Sequence, residues 1–454
     1  MVQSLTSGSP ARRIFGFAWP LLVGNLFQQL YNMADTLIVG RTIGVEALAA
    51  VGSTGSLMFL LIGFSQGMTS GFSIITAQYF GAKRMAEVRK SFCVSIALSL
   101  LAAFVLTLLG LVHVREVLAL MRTPPEIMQD AQAYLSTIYA GLGAFVAFNL
   151  LANSILALGD SKSPLLFLII ACILNIILDF TFILGFGWGV AGAARATVVS
   201  QGVSVLLCAV YIVKRQPSLL LRKKDWLHAR PRDLFRSLRV GLPMGFQASI
   251  ISVGIIIVQW AFNSLGPIAV AAYTVAQKID LVAVLPMMSF GLAMATYTGQ
   301  NYGARDIARI RKGVRQCCAM SLTFSVLVGA AVILGGKWAI ALFVGPGQPE
   351  VMAGAQIYLN ISGVMYWVLA LLFIFRFTLQ GLGRSAVPTL AGVMELLMRA
   401  GAALLLLDSF GYAGVCTANA LAWVGACVPL GIAYAVVIRR LAASMPSPTP
   451  RQSK

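Results

Sequence analysis

Long apolar segments separated by short polar connections make up almost the whole of this chain. Many of these segments exceed roughly 18 residues, the length that a helix needs to cross the hydrocarbon core of a bilayer. They lack the period-two alternation of a membrane-spanning β-barrel and are apolar on every face, which favours helix. We therefore predict an all-α integral membrane protein.

The apolar segments predict twelve transmembrane helices. Their limits are residues 14–38, 47–78, 91–113, 129–157, 163–185, 189–213, 238–264, 268–299, 314–343, 352–381, 386–408 and 412–438. We expect an N-terminal lobe over residues 1–213, a basic cytoplasmic linker over 214–237 and a C-terminal lobe over 238–440. Residues 441–454 are rich in proline and predict a disordered cytoplasmic tail.

The distribution of lysine and arginine supports this number of spans. Of the 34 such residues, 26 lie at the termini, in the even-numbered connections or, for Arg239, in the second residue of the adjoining span, and only four lie in the odd-numbered connections. Basic residues accumulate on the cytoplasmic side of a membrane, so both termini and all even-numbered connections are predicted to be cytoplasmic. A missed or additional helix would destroy this alternation.

Short matching segments repeat between the two halves. At an offset of 222 to 224 residues, segments 44–52, 78–83 and 158–161 match segments 266–274, 300–305 and 382–385, and Pro20 and Gly192 match Pro243 and Gly414. Each half has six spans, so both halves enter the membrane with the same orientation. We predict two six-helix lobes related by a pseudo-two-fold axis along the membrane normal, with the substrate path between them.

Composition narrows the classes of function. The net charge is +19, but the basic residues lie in short connections, which favours contact with anionic lipid over nucleic-acid binding. The seven cysteines contain no C-x-x-C, and His113 and His228 lie far apart, so we expect no metal centre. No phosphate-binding loop, G-x-S-x-G or H-E-x-x-H is present, so we expect no enzyme and no cofactor. Transport would then draw on an ion gradient or be passive.

Acidic residues inside predicted spans are the main candidates for chemistry, because a charge within the bilayer is costly. Asp35 lies in the outer half of span one, where apolar surroundings suit a group that binds and releases a proton. Asp179 and Asn175 are four residues apart and share a helix face. With a hydroxyl such as that of Thr197, they suit a proton relay or a small hard cation. The alternative is a structural polar cluster that holds helices together.

Other polar positions favour structural roles. Asp280 and Lys278 are two residues apart and cannot face each other on one helix, whereas Glu395 and Arg399 are four apart and predict an ion pair. Asn149 and Asn153 have the same spacing, which fits hydrogen bonds between helices. Small residues at Gly63, Gly67 and Gly71 predict very close helix packing.

Several stretches together resemble the multidrug and toxic compound extrusion (MATE) transporters, most closely their bacterial DinF-like branch. The stretches are residues 19–20, 32–35, 44–52, 78–82, 158–160, 175–179, 189–192, 196–197 and 300–304. The resemblance covers nearly all of the chain, and its specificity comes from the order and spacing of the stretches.

The resemblance implies a V-shaped, twelve-helix antiporter that exports lipophilic cationic compounds in exchange for H⁺ or Na⁺. By position it assigns cation coupling to five residues of the first lobe, and more weakly to two others. The five are Pro20, Asp35, Asn175, Asp179 and Thr197, and the weaker two are Tyr139 and Asn153.

One departure from the family concerns the second lobe. Some members carry a coupling acid in span seven, where this chain has only Gln259 as a mid-to-late polar residue. A second coupling site would therefore need Asp280. We expect coupling to reside in the first lobe, and no metal beyond Na⁺ at Asp35 and Asp179.

Two other transporter classes and a passive channel remain as alternatives. A lipid-linked saccharide flippase of the same superfamily would line its cavity with several basic residues, for which only Lys278, Arg376 and Arg399 are available. A transporter of the major facilitator type would carry an acidic–basic signature in its second connection, which is absent here.

We expect a monomer in the cytoplasmic (inner) membrane with small-molecule substrates.

Overall fold

The computed structural model describes residues 4–121, 123–222, 225–226, 230–344 and 348–444. Within these residues the chain is almost entirely helical and contains no β-strand. The prediction of an all-α fold is confirmed. Most of the predicted disordered tail, from residue 445 onward, lies outside the described residues.

Twelve long helices account for most of the described chain. In the first half they are α1 (Pro10–Thr42), α2 (Val45–Gly81), α3 (Met85–Leu120), α4 (Pro125–Ala140), α5 (Leu142–Ala157), α6 (Lys162–Phe180) and α7 (Gly189–Arg215). In the second half they are α8 (Pro231–Ser264), α9 (Pro267–Gly303), α10 (Ile307–Val344), α11 (Pro349–Gly381) and α12 (Ala386–Ser444).

The helices fit the predicted spans with two irregularities. Among the described residues, nine helices are long and apolar enough to cross a membrane, and the bent pair α4 and α5 makes a tenth. That pair bends by 45° at Gly141, where a Cβ would lie 2.2 Å from Val198 of α7. The 59-residue α12 breaks at Gly411 (φ 52°), so it covers predicted spans eleven and twelve. The 33-residue α1 covers predicted span one, but it is not among those nine helices.

Cα packing divides the chain into two compact units. The first comprises Val23–Gly245, and the second comprises Ser4–Leu22 together with the chain from Phe246 onward. The change from one unit to the other thus falls within α1, near Pro20, and within α8, near Pro243. The predicted linker 214–237 contains a 3₁₀ turn at Pro217–Leu219 and the first residues of α8. The lobe limits given by the sequence stay a prediction.

The internal repeat is visible in matching turns after α2 and α9. Lys83 and Arg305 both adopt a left-handed conformation with φ of 59°, and they are the non-glycine residues with positive φ in the described chain. They occupy equivalent positions of the repeated segments 78–83 and 300–305. The repeat therefore extends to a strained backbone feature that most side chains avoid.

Close packing in the first unit depends on glycines of α2. A Cβ at Gly67 would lie 2.4 Å from the carbonyl oxygen of Met244, and one at Gly71 would lie 2.6 Å from the Cα of Gly241. The predicted small-residue packing is confirmed at these two positions. Without a side chain on either glycine, the backbones of α2 and α8 approach directly, and dispersion contacts replace the hydrophobic effect that is absent in lipid.

Gly67→Ala is expected to destabilise the protein by about 1–3 kcal/mol, because the added methyl group overlaps a backbone atom that cannot rotate away. Thermal unfolding of the purified protein in detergent measures the effect. Gly52→Ala is the matched control, since it lies on the same helix with no atom within 4 Å of the added Cβ. Equal melting temperatures for the two variants would contradict the packing argument.

Candidate functional site

Polar side chains from separate helices meet in the first compact unit. Asp35 comes from α1, Asn175 and Asp179 from α6, and Thr197 from α7. Two hydrogen bonds of the Asn175 amide join Asp179 and Thr197, and the carboxyl group of Asp35 lies close to that of Asp179. Asn175 and Asp179 are fully buried, Thr197 is nearly so, and Asp35 is partly exposed. The structure therefore assembles four of the five residues that the sequence singles out.

The amide of Asn175 is fixed on both sides. Its nitrogen donates to Oδ2 of Asp179 at 2.9 Å, and its oxygen accepts the backbone N–H of Thr197 at 3.2 Å. The first bond joins groups one turn apart on α6, as the spacing of four predicts. The second ties α6 to α7. The amide thus holds one oxygen of Asp179 in place and leaves the other unused.

The carboxyl groups of Asp35 and Asp179 lie within hydrogen-bonding range of each other. An ionised carboxylate is an acceptor only, so a proton or another cation between the two groups would reduce their repulsion. One oxygen of each group, Oδ1, is buried and has no hydrogen-bond partner in the described part of the chain. A buried acceptor without a donor costs free energy. The pair thus offers buried oxygen atoms to a cation.

Two tyrosines that the sequence analysis missed complete the cluster. The hydroxyl of Tyr31 donates to Oγ1 of Thr197 at 3.3 Å, and Tyr134 of α4 lies within electrostatic range of Asp35 and Asp179. Tyr31 is four residues before Asp35, and this helical spacing could have identified it. Tyr134 comes from a distant segment, and no local pattern points to it.

The backbone beyond Asp179 departs from a regular α-helix. Thr181–Gly185 forms a π-helical turn, in which the N–H of Phe186 bonds to the carbonyl of Thr181 at 3.0 Å. Glycines with positive φ at Gly187 and Gly189 then lead into α7. Single π-helical turns are frequent at functional sites because they shift the register of side chains. Here the turn lies between the helix of the acid and the helix of Thr197.

The remaining first-lobe candidates lie elsewhere. Pro20 is buried within α1 but falls in the segment Ser4–Leu22 of the second unit, and its part in the site stays a prediction. Tyr139 packs in a separate apolar cluster with Val114 and Leu118. Asn153 donates to Oγ1 of Thr69 on α2 at 3.2 Å, which is the predicted bond between helices.

The second unit holds its own acid, Asp280 of α9. Oδ1 accepts the hydroxyl of Tyr366 at 2.6 Å, and Oδ2 is 3.5 Å from the hydroxyl of Tyr358. Asp280 is partly exposed, and neighbouring Lys278 is exposed. Gln259, the other second-lobe candidate, donates to Asn263 on its own helix at 2.9 Å.

A buried ion triad ties α11 to α12. Glu395 bonds Nη2 of Arg399 at 2.7 Å, which confirms the predicted pair, and its second oxygen bonds Arg376 of α11. All three side chains are about 95% removed from solvent, with relative exposures of 4–6%. The participation of Arg376 is not evident from the sequence, because it comes from a different helix.

The first cluster is suited to one small cation. Within the described residues, no group of three or more His, Cys, Asp or Glu side chains is placed to hold a metal ion. Two carboxyl groups with amide and hydroxyl oxygens beside them instead provide hard oxygen donors for H⁺ or Na⁺. One monovalent cation there would lower the charge of the ionised pair from −2 to −1 and so reduce the repulsion between the two acids.

Asn175→Leu is expected to destabilise the protein by about 1–3 kcal/mol, because it leaves Oδ2 of Asp179 buried without its donor. Asn149→Leu is the matched control, since the Asn149 amide donates to the carbonyl of Phe145 on its own helix. Thermal unfolding in detergent compares them. A larger loss in Asn149→Leu would contradict the role assigned to Asn175.

Comparison with known proteins identifies related sequences over most of the chain. The family model MatE matches residues 20–181 and 243–405, one match in each half. The chain is 27% identical over 391 residues to the probable multidrug resistance protein YpnP of Bacillus subtilis, covering 84% of each. It is 27% identical over 388 residues to the DNA damage-inducible protein F of Escherichia coli, covering 82% of this chain and 81% of that protein.

A solved structure shows the same fold. It is described as the outward-facing conformation of a multidrug resistance MATE family transporter of the MOP superfamily, and it is similar with a TM-score of 0.91 and 25% identity. The similarity covers 97% of this chain and 98% of the solved chain. The twelve-span membrane fold predicted from the sequence therefore has a direct structural counterpart.

Proposed function

The chain belongs to the MATE family of multidrug efflux transporters and is not an enzyme, and we propose that it exports lipophilic or cationic compounds by antiport against H⁺ or Na⁺. Membership of this family excludes the alternative of a transporter of the major facilitator type. The coupling ion, the substrates and the exchange stoichiometry are parts of the proposal.

The contact between Asp35 and Asp179 carries this proposal. Each carboxyl group keeps one buried oxygen without a donor, so the pair has a binding capacity that protein groups do not use. A cation that binds there reduces the repulsion between two acids that lie close together within the bilayer. An ion that stabilises one arrangement of α1 and α6 over another has the differential affinity that coupling requires.

The cycle follows from this charge balance. With the acids ionised, repulsion holds their helices apart and the substrate-binding state is favoured. Entry of H⁺ or Na⁺ from outside draws Asp35 and Asp179 together, and α1 adjusts near Pro20, where a backbone hydrogen bond is missing. The substrate is then released outward, and ion release to the cytoplasm restores the first state.

A proton and a sodium ion would use the same cluster differently. A proton needs only the two facing carboxyl oxygens. Sodium needs several oxygens at once, which the carboxylates and the hydroxyl of Thr197 would supply, together with the amide oxygen of Asn175 once the amide turns away from the backbone N–H of Thr197. Both remain candidates, and the transport measurement below separates them.

Lipid-linked saccharide flipping is less well supported by the side chains. A pyrophosphate would need several free basic groups. Arg376 and Arg399 are both bonded to Glu395, and Lys278 is the remaining basic candidate from the sequence. The proposal also places the protein in the cytoplasmic membrane as a monomer. The lysine and arginine distribution supports its orientation, with both termini cytoplasmic.

Asp35→Asn and Asp179→Asn are expected to abolish ion-coupled export while leaving expression intact, because each substitution keeps the shape but removes a charge. The measurement uses everted vesicles with an acid interior in sodium-free buffer. A quaternary dye is added and the interior pH is recorded. Dye-dependent alkalinisation in the wild type, and its loss in both variants, is the expected result for H⁺ coupling.

Asp130→Asn is the control, because Asp130 is an exposed acid at the start of α4. The measurement is then repeated with sodium added. If the dye now drives sodium movement and no proton movement, the same site is assigned to Na⁺. Full export by both Asp35→Asn and Asp179→Asn would disprove the site. If the dye moves neither protons nor sodium in wild-type vesicles, drug antiport is rejected and lipid flipping is favoured.

A further inference from the structure

The segment that precedes α1 is packed into the second compact unit. Ser4–Leu22 belongs to that unit, whereas the rest of α1 belongs to the first. Before α1 begins at Pro10 the chain forms turns in place of a helix, yet the side chain of Leu5 is only 2% exposed. A segment near a chain terminus is poorly ordered unless specific contacts fix it. The contacts of Leu5 therefore need an explanation.

Side chains of α9 and α10 bond both backbone groups of Leu5. Its N–H donates to Oε1 of Gln300 at 2.9 Å. Its carbonyl oxygen accepts Nδ2 of Asn301 at 3.3 Å and Nη2 of Arg309 at 3.1 Å. Gln300 and Asn301 are fully buried. These are the contacts of a peptide-binding site, in which bonds to the main chain give affinity and a buried side chain gives specificity.

The binding groups are held in place by their own unit. The hydroxyl of Tyr297 donates to the backbone carbonyl of Arg309 at 2.9 Å, and the Arg309 guanidinium lies 5.9 Å from the centre of the Tyr297 ring. Asn301 also donates to the carbonyl of Tyr297 at 2.8 Å. Tyr297 packs against Gly313, where a Cβ would lie 2.2 Å from its ring. The site is therefore preorganised, which lowers the entropy lost on binding.

A further bond holds the first turn of α1. The N–H of Ala11 donates to Oε1 of Gln316 on α10 at 2.9 Å. The first N–H groups of a helix have no partner within the helix, so this side chain satisfies a donor that α1 itself cannot. We use the name N-terminal clamp for the bonds that Gln300, Asn301 and Arg309 make to Leu5 and that Gln316 makes to Ala11.

The internal repeat places a related contact in the first unit. Gln78 and Tyr79 of α2 correspond to Gln300 and Asn301 at the 222-residue offset. They accept the guanidinium of Arg236, at 3.2 Å for Gln78 and 2.6 Å for Tyr79. Arg236 lies near the start of α8, the first helix of the second half. The end of the second helix in each half thus binds the chain near the start of the other half's first helix.

We propose that the N-terminal clamp fixes the start of α1 to the second unit, and that this attachment is required for ion binding at Asp35 to drive export. The occupant of the peptide-binding site is the chain's own segment around Leu5. α1 begins in the second unit and later contributes Asp35 to the first. A movement of Asp35 can act through the helix only if the start of the helix is held. The role in export rests on the proposed function, whereas the binding of the segment does not.

Hydrogen exchange of the purified protein in detergent, read by mass spectrometry of the N-terminal peptide, measures the binding of residues 4–8. In Leu5→Ala, exchange of this segment relative to its intrinsic rate is expected to rise by about tenfold or more, because the buried apolar side chain is lost. Ser7→Ala is the matched control, since the Ser7 side chain is exposed and is not part of the clamp. Equal protection of the segment in the two variants would overturn the clamp.

Arg309→Gln tests the same site from the side of the second unit. It should lower the melting temperature of the full chain by a few degrees. It should have little effect in a chain that lacks residues 2–8, because the carbonyl bonded by the guanidinium is then absent. If the shortened chain cannot be purified, Leu5→Ala takes its place in the comparison. An equal loss with and without the segment would show that Arg309 acts elsewhere and would reject the site.

Dye export by everted vesicles tests the role of the clamp in transport. The chain that lacks residues 2–8 keeps Asp35 and Asp179, so its melting temperature should still rise with the coupling ion. It should nevertheless lose most of the dye-driven ion movement of the wild type, and Leu5→Ala should lose part of it. Ser7→Ala should export like the wild type. Normal export by a variant whose segment exchanges freely would overturn the role in transport.

Failure of the clamp and failure of the proposed function give different results. If the wild type exchanges no ion for dye, the proposed function is rejected, while protection of residues 4–8 and its loss in Leu5→Ala still establish the binding site. If residues 4–8 exchange freely in the wild type but export is lost in Asp35→Asn, the clamp is rejected and the proposed function stands.

Discussion

The cost of carrying charge through a bilayer governs where polar groups lie in this protein. A buried acid in such surroundings must have donors, a fixed counter-charge or a mobile cation. Each solution occurs here. Asp280, which is partly exposed, is held by tyrosine hydroxyls, and Glu395 is held by two arginines. For Asp35 and Asp179, whose Oδ1 atoms have no partner among the described residues, the proposed function supplies a mobile cation. Under that proposal, this arrangement changes its charge during a transport cycle.

The sequence predicts much of the fold because the membrane simplifies the problem. Spans follow from the length of apolar segments, and topology follows from lysine and arginine. Close helix packing at Gly67 and Gly71 follows from a local spacing of small residues. Asn175 and Asp179 are likewise linked by a local spacing of four, and their contact is present.

The features that the sequence does not predict depend on contacts between distant segments. Tyr134 of α4 lies within electrostatic range of the two acids, and Arg376 of α11 bonds Glu395. No local period encodes either approach. The π-helical turn at Thr181–Gly185 is a backbone adjustment that ordinary helix propensity does not distinguish from α-helix. The boundaries between the two compact units fall inside α1 and α8. Hydropathy does not reveal them, because both helices are continuous.

The two halves share a fold but differ in how they balance charge, and the difference has a consequence for coupling. A ligand can drive a conformational change only if its affinity differs between two states. Under the proposed function, a mobile ion meets this condition at Asp35 and Asp179, where its arrival changes the net charge. At the 224-residue offset of the repeat, Asp179 corresponds to Ala403 and Asn175 corresponds to Arg399. The second half therefore lacks the acid and the amide that form the first cluster, and the proposal assigns coupling to the first unit for this reason.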